Sequence, residues 1–202
     1  MSLKEVYEEI ADEFDHTRGY VWKCVKEFLN DLSPKSKVLE VGCGNGKNML
    51  YRNDLDFYGI DFCEKFIDIC HKKNLKVKFG DILNIPYNEN TFDSTISIAV
   101  VHHLDTKEKR LKGIEELIRV TKKDGLIFIL VWAKEQPEKS KRKFNSNDEM
   151  VPWIKRSDGK TVYRYYHVYD NYELLDDVSQ FKVDIIKYFY EFGNIGIIFK
   201  KK

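Results

Sequence analysis

Val38-Leu39-Glu40-Val41-Gly42-Cys43-Gly44-Asn45-Gly46-Lys47 is the stretch that decides how this chain folds. Lys37 to Val41 reads as a short apolar strand after the Ser33-Pro34 break, and it runs straight into glycines. Glycine lets the backbone turn tightly and brings main-chain N–H groups close to a ligand. A helix is expected to start near Lys47. A dinucleotide fingerprint needs its third glycine at position 47, which is Lys47, and a Walker A loop needs glycine at 41, which is Val41. Both phosphate-binding readings therefore fail on spacing.

Working outward, Leu3, Val6, Tyr7, Ile10 and Phe14 recur at helical spacing, as do Val21, Val25, Phe28, Leu29 and Leu32, so two helices over about 3–32 precede the sheet. Further apolar runs follow at Phe57 to Ile60, Lys76 to Phe79, Ser94 to Val101 and Leu126 to Trp132, separated by helical patterns at Lys65 to Lys72 and Lys107 to Val120. Two last strand-like runs, Lys182 to Tyr190 and Ile195 to Lys200, are joined by the hairpin turn Glu191-Phe192-Gly193-Asn194. This order predicts a single α/β domain over 1–202 with a doubly wound, mostly parallel, seven-stranded Rossmann-like sheet and one antiparallel strand. A polar stretch over about 134–161 has no clear period and is longer than an ordinary connection, so it reads as a functional insertion or a disordered one.

Composition narrows the partners. Of 202 residues, 34 are Lys or Arg and 33 Asp or Glu, a formal charge of +1 that advertises no global nucleic-acid field. The insertion and its flank, Lys134 to Arg164, nevertheless hold nine basic residues against five acids, a local patch that can meet phosphates. Cys24, Cys43, Cys63 and Cys70 form no CxxC pair, and no apolar signal region or membrane-length run is present, so a cytoplasmic or nuclear setting without a membrane is expected. The five histidines have no cysteine or carboxylate partner at ligand spacing, so no metal is expected in this chain.

The second strand delivers Asp61 fifteen positions after Gly46, where a carboxylate can accept both ribose hydroxyl hydrogens of a nucleoside, and the third delivers Gly80-Asp81, suited to an adenine amine. Taken singly, these features are equally a tight turn and two helix caps. Jointly, strand-GxGxG, strand-Asp and strand-Asp at successive sheet ends match an S-adenosylmethionine site. Glu40 suits the positive charge of that sulfonium cofactor. The expected cofactor-binding residues are Glu40, Gly42, Cys43, Gly44, Asn45, Gly46 and Lys47 in the turn, Asp61 and Phe62 after the second strand, Asp81 and Ile82 after the third, and Ile98, Ala99 and His103 beyond the fourth.

Over nearly its whole length the sequence resembles the eukaryotic tRNA wobble-uridine 5-carboxymethyl methyltransferases. The matching segments are Val6-Tyr7-Glu8, Phe14 to Arg18 (FDHTR), Trp22, Val41 to Lys47 (VGCGNGK), Ile96 to His103 (ISIAVVHH), Val131 to Gln136 (VWAKEQ), Val151-Pro152-Trp153 and Arg164 to His167 (RYYH). Asp61-Phe62-Cys63-Glu64 departs from the family's usual stretch, and the insertion is short. The resemblance implies esterification of the 5-carboxymethyluridine carboxylate at the tRNA wobble position, with S-adenosylhomocysteine as the other product. It also implies the tRNA anticodon loop as substrate and a small zinc-binding activator protein as partner. A carboxylate with a pKa of about 4 is already ionised at neutral pH, so the attack needs no general base, only placement.

On this reading the catalytic candidates are Arg18 and Arg164 as a carboxylate clamp, His103 and Trp132 at the pocket, and His167 in the RYYH segment, while His102 is left without a role. Trp132, Trp153, Tyr165 and Tyr166 are either core aromatics or platforms for a flipped base. The third strand, Leu75 to Phe79, is expected at a sheet edge where the activator can dock, its apolar patch extended by Phe57, Phe62 and Phe66. Two other functions compete. A small-molecule O- or N-methyltransferase predicts a closed apolar lid, and a non-catalytic adenosylmethionine-binding subunit predicts a defective glycine turn.

Overall fold

A computed structural model describes residues 1–202. Strands β1 (Lys37–Val41), β2 (Asp56–Asp61), β3 (Val77–Phe79), β4 (Phe92–Ile98), β5 (Thr121–Trp132), β8 (Val183–Glu191) and β9 (Asn194–Lys201) form one seven-stranded sheet in the order β3-β2-β1-β4-β5-β9-β8. All neighbours are parallel except that β9 runs antiparallel to both β5 and β8, which makes it the single antiparallel strand expected from the terminal hairpin. The central strands carry unbroken apolar runs because both faces are covered. One face packs Leu39, Ile60, Ile127 and Ile129 against α4 (Lys107–Val120) and α5 (Glu173–Ser179), and the other packs Val38, Ile96, Phe128 and Leu130 against α2 (Lys23–Asp31). No helix is long and apolar enough to cross a membrane.

The chain order reverses at β1, from which β2 and β3 lie to one side and β4 to the other. A crevice opens at such a reversal beyond the carboxyl ends of the strands. Helix α1 (Leu3–Thr17) lies over it, started by a capping box in which Ser2 Oγ accepts from the Glu5 N–H at 3.3 Å and Glu5 Oε2 accepts from the Ser2 N–H at 2.7 Å. Helix α1 buries Val6, Tyr7, Ile10 and Ala11 against Phe66 and Ile69 of α3 (Glu64–Lys72) and Val162.

Several expectations are corrected. No regular helix follows Lys47; residues 47–50 form turns, because only nine residues separate Gly46 from β2 and Leu55 must be buried at its start. The fourth strand ends at Ile98 rather than Val101, since Ala99 takes a left-handed φ of +62° and Val101–His103 forms a 3-10 turn. The insertion is neither wholly irregular nor disordered. Its second half is β6 (Asp148–Ile154), which pairs antiparallel with β7 (Thr161–His167) in a separate hairpin. Pro152 sits within β6, where it is tolerated because that strand has no second neighbour. The expected apolar patch beside β3 loses Phe57 and Phe66, which are buried in the core, and keeps Phe79 at 52% exposure with Leu75, Val77 and Phe62 half-buried.

Candidate active site

All three glycines of the turn have positive φ: +74° at Gly42, +52° at Gly44 and +74° at Gly46. A Cβ at Gly42 would stand 2.3 Å from Val100 Cγ2, and one at Gly46 2.3 Å from Leu75 Cδ1, so conformation and space both require glycine there. Gly42 and Gly44 face the cavity, whereas Gly46 shapes the turn from behind and does not line it. The cavity is walled by the turn, by Glu40, Asp61 and Phe62, by Ile98, Ala99 and Val100, and by α1 and β7 residues above. Asp81 and Ile82 line an adjoining hollow, which shares Gly42, Asp61, Phe62, Val100 and His103 with the first.

Two carboxylates sit at the turn. Asp61 is buried and accepts from the N–H groups of Gly44 at 2.8 Å and Cys63 at 2.9 Å. Burial raises its pKa to about 6 despite those backbone bonds. Glu40 is also buried; its Oε1 accepts from Asn48 Nδ2 at 2.6 Å, while its Oε2 has no partner. Burial lifts it to about 8, against the pull of Asn48 and Lys47. An unpartnered carboxylate oxygen in a closed turn is a cost that a cationic ligand relieves. The residues present thus fit a sulfonium nucleoside: Glu40 for its positive end, the Gly42 to Gly44 backbone for close approach and Asp61 for the ribose.

His103 Nδ1 lies 2.7 Å from the Tyr165 carbonyl oxygen, so that nitrogen carries the proton, and Nε2 accepts from the Tyr7 hydroxyl at 2.8 Å. Burial lowers its pKa to about 3. His103 is therefore a neutral, fully engaged wall of the cavity. His102 is buried, accepts the Trp132 N–H through Nδ1 at 2.9 Å and is held well below the usual histidine range by burial and by His103. Its role is to pin the end of β5.

Above the turn, Arg18, Arg142 and Arg164 all line the cavity, and none has a carboxylate within 4.0 Å. Aromatic rings hold them instead. Arg18 and Arg164 each lie 5.1 Å from the Trp153 ring, and Arg142 lies 4.2 Å from that of Trp132, which stacks on Tyr166 with centroids 4.3 Å apart. Arg164 is only 4% exposed and its Nε has no partner. Burial and the neighbouring Arg164 hold the Arg18 pKa below the ordinary guanidinium value, the mark of cations packed together.

The structure brings Arg18, His103, Trp132 and Arg164 together at one cavity but leaves His167 out of its lining. His167 lies beyond it, between Asp148 Oδ1 at 3.0 Å and Glu173 Oε1 at 2.7 Å, joining the hairpin to α5. Trp153 and Tyr165 are equally committed, the first behind the arginines and the second through its hydroxyl to the Asp105 carbonyl at 3.2 Å. Tyr7, Asn48 and Arg142 line the cavity without having been singled out for it in sequence. Arg142 had a signal in the basic run Lys139 to Lys143 and Tyr7 one in the matching segment Val6-Tyr7-Glu8, whereas Asn48 looks like any turn residue.

A doubly wound sheet with a glycine turn after β1, an acid after β2 and a cavity at the chain reversal defines an adenosylmethionine-dependent methyltransferase. Residues 39–129 match the family model described as a methyltransferase domain. The chain belongs to the tRNA (carboxymethyluridine(34)-5-O)-methyltransferase family: it is 31% identical to the Schizosaccharomyces pombe member over 98% of this chain and 96% of that protein. The Arabidopsis thaliana enzyme of the same name is 44% identical over 68% of this chain and 34% of its own length. A mouse protein named "Probable tRNA methyltransferase 9B" is 38% identical over 75% of this chain, which spans 33% of it. The chain thus spans about a third of the length of the first curated relatives it matches. Among solved structures, a Haloferax volcanii methyltransferase in complex with the Trm112 methyltransferase activator aligns with a TM-score of 0.73 at 12% identity, covering 98% of this chain and 97% of that one.

Proposed function

We propose that this enzyme esterifies the carboxylate of 5-carboxymethyluridine at the wobble position of tRNA, giving the 5-methoxycarbonylmethyl nucleoside. The observation that carries this reading is the set of three guanidiniums, Arg18, Arg142 and Arg164, without carboxylate partners on the cavity that also holds the glycine turn. Such a set asks for an anionic acceptor. A bound adenosylmethionine supplies an electrophilic methyl group on sulfur. A carboxylate held in line would take that methyl group with the carbon–sulfur electron pair leaving on sulfur, so no proton transfer would be asked of the chain. That balance agrees with His103, whose ring is neutral and has no free lone pair to act as base. The chain's contribution is to hold the carboxylate in line and to strip its water by arginine contacts.

The test is nucleoside mass spectrometry of carboxymethylated tRNA incubated with Arg18→Lys, Arg142→Lys or Arg164→Lys. Lysine keeps the charge but loses the planar two-point grip, so ester formation should fall by ~10-fold or more while S-adenosylhomocysteine affinity stays near the parent value. Full turnover by all three variants would remove the clamp.

The same reading assigns the chain a small zinc-binding activator as partner and tRNA in the cytoplasm or nucleus as its setting. Strand β3 supports the partner: it lies at the sheet edge, short and parallel to β2 only, with Phe79 exposed. Its outward N–H and C=O groups can take an added strand.

A further inference from the structure

A second hollow opens directly beside the catalytic cavity and shares five of its wall residues, Arg18, Trp22, Lys47, Trp132 and Arg142. Its charged lining is Arg18, Lys23, Lys47 and Arg142 against Glu191 alone, a four-to-one excess of cations in a chain whose net charge is only +1. Two aromatic side chains also border it, Phe192 at 82% exposure and Tyr20 at 67%. A groove that pairs cations with open aromatic faces is built like a single-stranded nucleic-acid channel, where phosphates meet the charges and bases stack on the rings.

Phe192 is the informative residue. It and Gly193 are the two central residues of the β8–β9 hairpin, where Glu191 pairs with Asn194, and both are left-handed, with φ of +48° and +79°. A two-residue turn of this kind favours Asn-Gly, because asparagine tolerates the left-handed region far better than phenylalanine does. Phenylalanine therefore works against the local backbone here, and it packs into no core that would compensate. The tip that carries it is firmly placed: the Gly193 carbonyl accepts from the Ala133 N–H at 2.9 Å and from Gln136 Nε2 at 2.9 Å, tying the turn to the exit of β5 beside Trp132. Strain held at a pinned, solvent-facing tip points to a role outside folding.

We infer that this groove binds the anticodon-loop nucleotides flanking the wobble uridine, with Phe192 as a stacking platform for one unpaired base and Lys23 and Lys47 as phosphate contacts. The inference rests on the proposed reaction for the identity of the RNA, but its test reads binding alone. Phe192→Asn should fold at least as stably as the parent, with an equal or higher Tm, and should bind S-adenosylhomocysteine unchanged by calorimetry. Its Kd for a fluorescein-labelled anticodon stem-loop RNA, read by anisotropy, should rise about ten-fold, the scale of one lost base–aromatic stack. Phe192→Tyr should keep the parent affinity. When the bases flanking the wobble position are replaced by abasic sites, the Phe192→Asn penalty should shrink to less than about two-fold, because the two changes remove the same contact. An unchanged RNA Kd in Phe192→Asn, an equal penalty on the abasic RNA, or a loss of Tm and S-adenosylhomocysteine affinity together would overturn the groove. A parent enzyme that binds the stem-loop with this pattern yet never esterifies carboxymethylated tRNA would keep the groove and sink the proposed reaction instead.

Discussion

Replacing Glu40 by Gln isolates the buried charge proposed to face the sulfonium, with little change in shape. The Gln carbonyl still accepts from Asn48 Nδ2, as Glu40 Oε1 does at 2.6 Å, so the turn should stay in place. What disappears is the group that burial holds near pH 8 and whose Oε2 lacks a partner. At pH 7 a carboxyl of that pKa is about nine-tenths protonated, and a cation brought against it must expel the proton. Adenosylmethionine binding at pH 7 should therefore release on the order of one proton beyond any from the ligand's own amine, and affinity should rise roughly ten-fold as pH climbs past 8. Loss of the charge-assisted contact in Glu40→Gln should cost about 1.5–3 kcal/mol, or roughly 10- to 150-fold in Kd. The sign for the ligand-free protein is opposite. The folded state keeps a proton that the unfolded chain releases near pH 4.5, so this carboxyl stabilises least above pH 8. Stability should fall between those values, and Asp61, raised from 3.8 to about 6, adds the same sign over its own window. Calorimetry in two buffers of different ionisation heat measures the proton, and melting against pH measures the slope. Equal Kd values for parent and Glu40→Gln, with identical heats in both buffers, would refute the reasoning.

Asp61→Ala removes an acceptor of two backbone N–H groups as well as the carboxylate proposed to take the ribose, so it should weaken adenosylmethionine binding by ~1.5–3 kcal/mol and also lower Tm; a folded variant with parent affinity would exclude Asp61 from the site. His167 should behave as a structural tether. Burial pushes its pKa down, but hydrogen bonds to Glu173 and Asp148 outweigh this and leave it raised, so its stabilisation is complete below pH 6.5 and lost as pH rises through the folded value. His167→Ala should lower Tm at pH 6 more than at pH 9, and an equal loss at both would contradict the charged contact. Amide exchange should protect Val77 to Phe79 only after the activator is added; no change in that strand would move the proposed dock elsewhere.

The architecture, and the presence of a glycine turn and two acids at the carboxyl ends of the first two strands, are legible in the sequence alone. Strand spacing, the glycine turn and the acids at successive strand ends are local signals, each written within a few residues, so the succession of elements, the mostly parallel sheet and the position of Glu40 and Asp61 at strand ends could be read directly. The tertiary structure decided the acceptor end. Arg18 follows α1, Arg142 lies in the insertion and Arg164 in β7, and only the folding of the β6–β7 hairpin over α1 puts them on one cavity through Trp153 and Trp132. Position in sequence likewise grouped His167 with Arg164, but alternation along β7 separates them: three residues on, the side chain points to the opposite face of the strand and meets α5. Local chemistry is encoded in consecutive residues. Convergence of distant cations depends on packing contacts that no single segment contains.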